Sequence, residues 1–374
     1  MPPVIPEDRI VRLPPARGYE RGLHHGRALS QEIAAIAAIR SELCLSQGMF
    51  RSDAELLQIA ALHLPVLEAF DRELFDELRG IADGAGLPLT RIVVLNHYTD
   101  LKDLDPRVVL GPQGAEPRAP QRDVEKEEDC TAIVAATAQG GVLAQTWDMH
   151  GSAAPFVIAL HLPAVGEVPE AWMLSIAGCL GMAGMNRRGV GITINNLKSN
   201  DARVGLVWPA LVRRVLTTKS AEEARDQVIR APLGSGHHYL VADAARAFGI
   251  ETSGTLSEVW AQADLRALGS GFHHENHCRG TVVNAVSSIS PISTTLLRHA
   301  FMESQPAPSS AREIWARLGS HEGYPKSVCT HLSSPEAPHA MLTCAGLLME
   351  LEAKRIAWRP GCLNEKSPLP LAWD

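Results

Sequence analysis

Cys130 and Asp148 bracket the stretch CTAIVAATAQGGVLAQTWD. Three acidic residues, Glu127, Glu128 and Asp129, run into the cysteine, and Thr131 and an apolar run follow it. Gly140 and Gly141, after Gln139, read as a hairpin turn that brings residues 147–150 back beside 130–134. A carboxylate then stands near a thiol. A thiolate is a strong nucleophile, and its attack on an acyl carbon gives a thioester. The plainer reading of one cysteine at a strand start is a small buried apolar side chain. Downstream, GITINNL sets Asn195 beside Asn196, and a strand turns only one of them to a given side. An Asn amide suits an oxyanion, although both also read as turn or strand-end residues.

The densest histidine run is HHENH, 273–277, with His237 and His238 upstream. His273 and His277 have the spacing of a zinc pair on a helix. Gly269 and Gly271 argue for a loop instead, and a metal enzyme centred on these histidines stands as an alternative. No CxxC pair is present among Cys44, Cys130, Cys179, Cys278, Cys329, Cys344 and Cys362. No metal ligand set and no cofactor motif is therefore expected, and the six cysteines other than Cys130 read as structural. GMNRRG reads as a type I′-like turn rather than a phosphate loop, and Trp147 and Trp172 as core.

The elements that must position these residues come in blocks. Residues 26–47 and 53–83 read as helices, the second with Leu67, Phe70, Leu74, Leu78 and Ile81 on one stripe, and DGAGLP as its stop. A short apolar run, RIVVLNHY, follows. Residues 111–128 are rich in Gly, Pro and charge and read as a linker or exposed loop. From Cys130 the texture becomes β, with short apolar runs between turn residues as far as GVGITINNL. Helices fit 205–217 and a segment capped by Ser220 with Glu223, and strands return through HHYLVADA, AFGIETS and SEVWAQ with a turn at Gly254. Helices near 292–303 and 309–318 precede the closing strands AMLTCAGLLMELEAKRIAWRPG. Helices, strands, helices and strands in that order fit a layered α+β sandwich.

The 374 residues are 45% hydrophobic and 21% charged, with a formal net charge of −7. These are the proportions of a soluble globular protein, and no basic stripe suggests nucleic acid. No apolar run is long enough for a membrane span, and the N-terminus lacks the apolar core of a signal peptide, so a cytoplasmic location is expected. A homo-oligomer is compatible with everything above.

Cys-Thr, an apolar strand, a glycine turn and QTWD together resemble the acyl-CoA:6-aminopenicillanic acid acyltransferase family, a branch of the N-terminal-nucleophile (Ntn) hydrolases. GYERGLHHG (18–26) is similar to its N-terminal Gly-x3-Gly-x3-Gly segment, and ELRGIADGAGLPLTRIVVLN (77–96) to its helix–loop segment. AGCLGMAGMNRRGVGITINNL (177–197) resembles its Asn-bearing strand pair, and ELEAKRIAWRPG (350–361) its C-terminal strand.

The resemblance implies a single α+β domain over 1–374, a four-layer αββα sandwich of two antiparallel sheets. It implies a precursor cut between Asp129 and Cys130 by Cys130 itself, giving an N-terminal segment 1–129 and a C-terminal segment 130–374. The freed α-amine, with a pKa near working pH, would act as base to its own thiol. The substrate would be a small N-acyl amide, with hydrolysis favoured over acyl-CoA-dependent transfer to an amine. By the same resemblance Asp148 holds the α-amine and Asn195 offers the oxyanion its N–H, with Asn196 as the adjacent alternative. Thr131, Gln145 and Asn276 would support the site. Two positions depart from the family. Asp129 stands where it mostly has Gly, so cleavage is slower, carboxylate-assisted or absent, the last making the chain a non-processing binding homologue. Gln145 stands where related enzymes often place Arg and supplies no charge to the thiol.

Overall fold

The computed structural model describes residues 9–111, 130–364 and 367–374. Asp129 and nearly all of the expected linker lie outside the described residues.

The N-terminal segment is helical: α1 (Gly18–Ala28), α2 (Ser30–Ser46), α3 (Asp53–Leu62), α4 (Leu64–Phe70), α5 (Arg72–Ala85), α6 (Leu89–Asp103) and α7 (Pro106–Leu110). The single helix expected over 53–83 is three. Pro65 sits in the first turn of α4, where its missing N–H does no harm. Extended Asp71 then ends that helix and caps the next, accepting from the Leu74 N–H. Gly86, at φ 69°, closes α5. The run RIVVLNHY lies in α6, where every residue from Ile92 to Leu101 is buried. A helix buried all round has no polar face, so its periodicity is hidden in the sequence.

The glycine repeat of α1 has a packing cause. A Cβ on Gly22 or Gly26 would run into the carbonyl oxygens of Glu77 and Ile81 on α5. One on Gly80 or Gly84 would run into those of Tyr19 and Leu23 on α1. The two backbones touch because neither helix carries a side chain there. Beside this contact the buried Glu77 carboxylate joins Arg21 of α1 to Arg213.

The strands are β1 (Ile10–Arg12), β2 (Ala132–Thr137), β3 (Gly140–His150), β4 (Val157–Leu162), β5 (Ala171–Ile176), β6 (Ala183–Asn186), β7 (Gly191–Ser199), β8 (Gly236–Ala242), β9 (Arg246–Thr252), β10 (Ser257–Asp264), β11 (Gly271–His274), β12 (Ser287–Ser288), β13 (Met341–Glu350), β14 (Arg355–Pro360) and β15 (Leu369–Leu371). One sheet runs β1-β4-β5-β6-β7-β8-β9-β10, with β12 on β7, and the other runs β11-β2-β3-β13-β14-β15. All pairings are antiparallel except β1 with β4. The turn at GMNRRG has positive φ only at Gly189 (91°), with Gly189 N–H bonded to the Asn186 carbonyl. It is a turn closed by a left-handed glycine rather than a type I′ turn, which needs two positive-φ residues.

The second helical group is α8 (Pro209–Val215), α9 (Ala221–Arg230), α10 (Thr281–Asn284), α11 (Thr295–Ser304) and α12 (Ala311–Leu318). Ser220 caps α9 through the Glu223 N–H, as its spacing suggested. β2 and β3 show how the layers stack. Ala132, Val134, Ala136 and Leu143 join the core between the sheets. Ile133, Ala135, Val142 and Ala144 join a second cluster with Met302 of α11 and Ile314, Trp315 and Leu318 of α12. Alternation of period two thus buries one side against the other sheet and the other against helices. With α9 packed on β8 and β9 of the larger sheet, the layers are helix, sheet, sheet, helix, the expected αββα sandwich.

Candidate active site

Cys130 stands at the head of β2, beside the far end of β3. The register pairs Ala132 with Gln145, and the Thr146 N–H donates to the Thr131 carbonyl at 2.9 Å. The hairpin forms as expected but turns two residues earlier, at Ala138 and Gln139, so that residues 143–145, not 147–150, pair with 132–134. The Cys130 thiol is buried, at 5% exposure, and its Sγ lies 4.0 Å from the Asp148 carbonyl oxygen.

Three side chains hold the Cys130 backbone. Its N–H donates to Asn276 Oδ1 at 2.7 Å. Its carbonyl accepts from Asn195 Nδ2 at 2.8 Å and from Arg298 Nη1 at 2.9 Å. Arg298, on α11, is 1% exposed and spreads its guanidinium across the site. It donates to Thr131 Oγ1 and to Asn276 Oδ1, each at 2.9 Å, and its Nε to Thr294 Oγ1. The Asn276 amide has one sensible orientation: two donors converge on its oxygen, and its nitrogen donates to the Asn196 carbonyl at 2.9 Å.

Asn195 is placed differently from its expected role. Its second amide hydrogen goes to the His274 carbonyl at 3.1 Å, so both hydrogens are used within the protein. Its oxygen accepts from His238 Nδ1 at 2.9 Å, and burial holds His238 well below the usual histidine range, hence neutral. In this geometry Asn195 fixes the Cys130 peptide. Asn196, the other choice on β7, turns toward the cavity described below.

The Asp148 carboxylate is fully buried and accepts from Thr146 Oγ1 at 3.2 Å. Thr146 Oγ1 in turn accepts from the Thr131 N–H at 3.0 Å, which links Asp148 to the residue after the cysteine. Gln145 braces the two sheets: its Oε1 accepts from the Ile194 N–H at 2.9 Å and its Nε2 donates to the Thr146 carbonyl.

A narrow cavity opens beside the thiol. Tyr98, Trp147, Met149, Met182, Ile194 and Trp208 form its apolar walls, and Arg40, Asn196 and His237 add polar groups. Trp147 is thus a wall of the cavity, whereas Trp172 is buried in the core. A mostly apolar recess with a few polar groups is the usual lining of a small-molecule site.

The chain matches the family model for acyl-coenzyme A:6-aminopenicillanic acid acyl-transferase over residues 136–357, more than half its length. It belongs to this family. A relative from Emericella nidulans, acyl-coenzyme A:6-aminopenicillanic-acid-acyltransferase 40 kDa form, is 27% identical over 315 residues, 83% of this chain and 81% of its own. Among solved structures, a mutant conjugated bile acid hydrolase from Clostridium perfringens is similar with a TM-score of 0.37 and 11% identity, over 66% of this chain and 97% of that one. Penicillin V acylase from Agrobacterium tumefaciens is similar with a TM-score of 0.35 and 13% identity, over 64% and 84%. As a member of the acyltransferase family the protein is an enzyme that acts on an amide. Asp148, Asn195, Asn276 and Arg298 fall inside the matched segment, and Cys130 lies just before it.

The histidines do not gather as their spacing suggests. His273 is in strand β11, not in a helix, so it and His277 do not share a helical face. His237 and His238 lie on β8 in the other sheet, where His238 stacks on His274 at 3.6 Å. His273 and His299 do flank Glu275, each bonded to one carboxylate oxygen at 2.9 Å. Those are ordinary hydrogen bonds, and with Arg298 they hold the Glu275 carboxyl below its usual range against the opposing effect of burial. No helix among the described residues is long and apolar enough to cross a membrane.

Arg298 was not foreseen. Its signal was a helix with its polarity inverted: Thr295, Arg298 and Met302 are buried, while Leu296 and Leu297 are 55% and 61% exposed. A charge on the buried side of a helix requires buried acceptors, and here they belong to Cys130, Thr131 and Asn276.

Proposed function

We propose that this enzyme cleaves a small N-acyl amide through a thioester on Cys130, and that it becomes active by cutting its own chain between Asp129 and Cys130. The supporting observation is the clamp on the Cys130 backbone: Asn276 on the nitrogen, Asn195 and Arg298 on the carbonyl, with the side chain beside an apolar recess. A structural cysteine has no need of a buried guanidinium and two amides on its main chain.

In the first step the Cys130 thiol attacks the Asp129 carbonyl, the peptide nitrogen leaves with a proton, and water then releases segment 1–129 from the thioester. The freed α-amine of segment 130–374 stays on Asn276 Oδ1. It takes the thiol proton as the sulfur attacks the substrate carbonyl and returns it to the departing amine. Asp148 holds the local charge balance in favour of the protonated amine. The donor proposed for the oxyanion is the second Nδ2 hydrogen of Asn276, since both hydrogens of Asn195 are engaged. One such donor is worth about 10²–10³ in rate. The acyl group occupies the recess between Trp147, Tyr98 and Trp208. Water resolving the thioester makes the reaction a hydrolysis, while an amine or CoA makes it a transfer, and the family name keeps the second outcome in view. Seven free cysteines suit a reducing compartment such as the cytoplasm.

A panel of N-acyl amides incubated with the wild type and with Cys130→Ala tests this. The wild type should release free acid, or pass the acyl group to an added amine, and Cys130→Ala should do neither while remaining folded. Turnover retained by folded Cys130→Ala would refute the proposal.

A further inference from the structure

Away from Cys130, two cysteines and two histidines converge where the 319–340 loop meets the end of β14. His321, Cys329, His331 and Cys362 each offer one ligand atom, and these atoms all lie within 4.8 Å of one another. The two sulfurs are 3.8 Å apart, Cys329 Sγ is 3.5 Å from His331 Nε2, and Cys362 Sγ is 3.3 Å from His321 Nε2. These lengths have a specific meaning. Zinc bonded to sulfur at about 2.3 Å and to nitrogen at about 2.0–2.1 Å in a tetrahedron gives S–S edges of about 3.8 Å and S–N edges of about 3.5 Å. The S–S edge and the Cys329–His331 edge match, and the Cys362–His321 edge is about 0.2 Å shorter. A disulfide would need the sulfurs at about 2.05 Å.

We propose that His321, Cys329, His331 and Cys362 bind a structural zinc ion. Two thiolates and two imidazoles are a donor set suited to Zn2+ rather than to the hard cations. All four positions are filled by protein, which leaves no open site for water or substrate and separates this ion from catalysis. The Leu363 N–H, 3.5 Å from Cys329 Sγ, donates toward a sulfur that carries charge once the metal is bound. The ion would fasten a loop with little regular structure to the strand region that follows β14.

That fastening reaches the catalytic sheet. Thr330, between two ligands, exchanges hydrogen bonds with Thr343: its N–H donates to Thr343 Oγ1 at 2.8 Å, and the Thr343 N–H donates to its carbonyl at 3.0 Å. Thr343 of β13 is the cross-strand partner of Asp148. The zinc therefore anchors the strand against which the Asp148 position is set, and its removal should loosen that strand without touching the thiol of Cys130. The four ligands escape a motif search because they span 321 to 362 and contain no CxxC.

The test uses tag-free full-length protein grown with zinc. Elemental analysis after gel filtration should find one zinc per chain. Stripping and reloading with Co2+ should give the strong visible bands of a tetrahedral thiolate site, together with recovery of the melting temperature lost on stripping. Cys329→Ser should lose the zinc, and Cys278→Ser should keep it. Should Cys329→Ser fail to fold, the Co2+ spectrum of the wild type decides alone. Zinc far below one per chain with no thiolate–cobalt band on reloading would overturn the proposal. So would a Cys329–Cys362 disulfide in the peptide map of protein isolated under reducing conditions.

Discussion

Replacing Arg298 by Met removes a buried cation while keeping much of its volume. Four bonds are lost: to the Cys130 carbonyl, Thr131 Oγ1, Asn276 Oδ1 and Thr294 Oγ1. Bonds to a charged group are each worth about 1.5–3 kcal/mol, but the loss is smaller than the sum. The Cys130 carbonyl keeps Asn195, and Asn276 Oδ1 keeps the Cys130 N–H. The desolvation cost of the guanidinium also disappears. A net destabilisation of about 2–4 kcal/mol is expected. The effect on chemistry should be larger than the effect on folding suggests. With Arg298 gone, the Cys130 carbonyl and Asn276 Oδ1 lose their bonds to α11, and the link that remains to that helix is the Asn276 N–H on Thr295 Oγ1 at 2.8 Å. A displacement of about 1 Å in a catalytic group costs about 10²-fold in rate. The assay is turnover per titrated active site, with thermal melts run alongside. Arg298→Lys adds a control, since it restores the charge without the planar fork. If geometry matters, Lys should recover stability better than rate. A Met variant that turns over at the wild-type rate per titrated site would show that the clamp is irrelevant to the chemistry.

Three further perturbations probe other parts of the reasoning. Asp148→Asn keeps the shape but deletes a buried charge, so turnover should fall about 10²-fold or more, and the acidic limb of the pH–rate profile, where the amine must lose its proton to act as base, should move to lower pH as the amine loses its counter-charge; unchanged turnover with an unshifted profile would remove Asp148 from the mechanism. Gly22→Ala drives a Cβ into the Glu77 carbonyl and should cost about 3 kcal/mol, the upper end of the overpacking range, in denaturant unfolding, whereas a loss under about 1 kcal/mol would mean that α1 and α5 do not touch along their glycines. Asp103 is raised to about 6, chiefly by burial and partly by Asp100, against the bonds from Ser235 and the Ser199 N–H and the charge of Lys102. Its folded form binds the proton more tightly than the unfolded chain, so its contribution is fully present below about pH 4 and is lost as pH rises through 6; Asp103→Asn should remove that slope, and urea midpoints measured from pH 4 to 8 that fall equally in both proteins would contradict it.

The hairpin carrying Cys130 and Asp148 was legible because its signals are local, glycines close to the turn and an apolar run on each side, although the turn itself falls on Ala138 and Gln139 and shifts the register from the expected one. The strands from β8 to β10 and the cap of α9 were readable for the same reason. What was hidden depended on distant partners. α6 is buried on all sides, so its sequence lacks the alternation that marks a helix at a surface. Arg298 acts on groups 168 residues away, and nothing near it in the chain says so. The adjacent residues Asn195 and Asn196 posed a choice that parity could state but not resolve. The fold put Asn195 on the Cys130 peptide and gave the position beside the Cys130 nitrogen to Asn276. The HHENH run drew attention by density, and two of its residues, His273 and Glu275, do converge with His299, but the four-donor set lies at His321, Cys329, His331 and Cys362, scattered in sequence and joined only by the fold.

The central claim is that Cys130 becomes a chain terminus and carries the acyl group. Intact-mass and peptide mapping of active enzyme, quenched during turnover of a slow N-acyl amide, tests it directly. The expected result is a chain beginning at Cys130, with the acyl mass on that first residue and released by hydroxylamine, as a thioester is. Full turnover by a chain never broken between Asp129 and Cys130, or an acyl group found on any other residue, would contradict it.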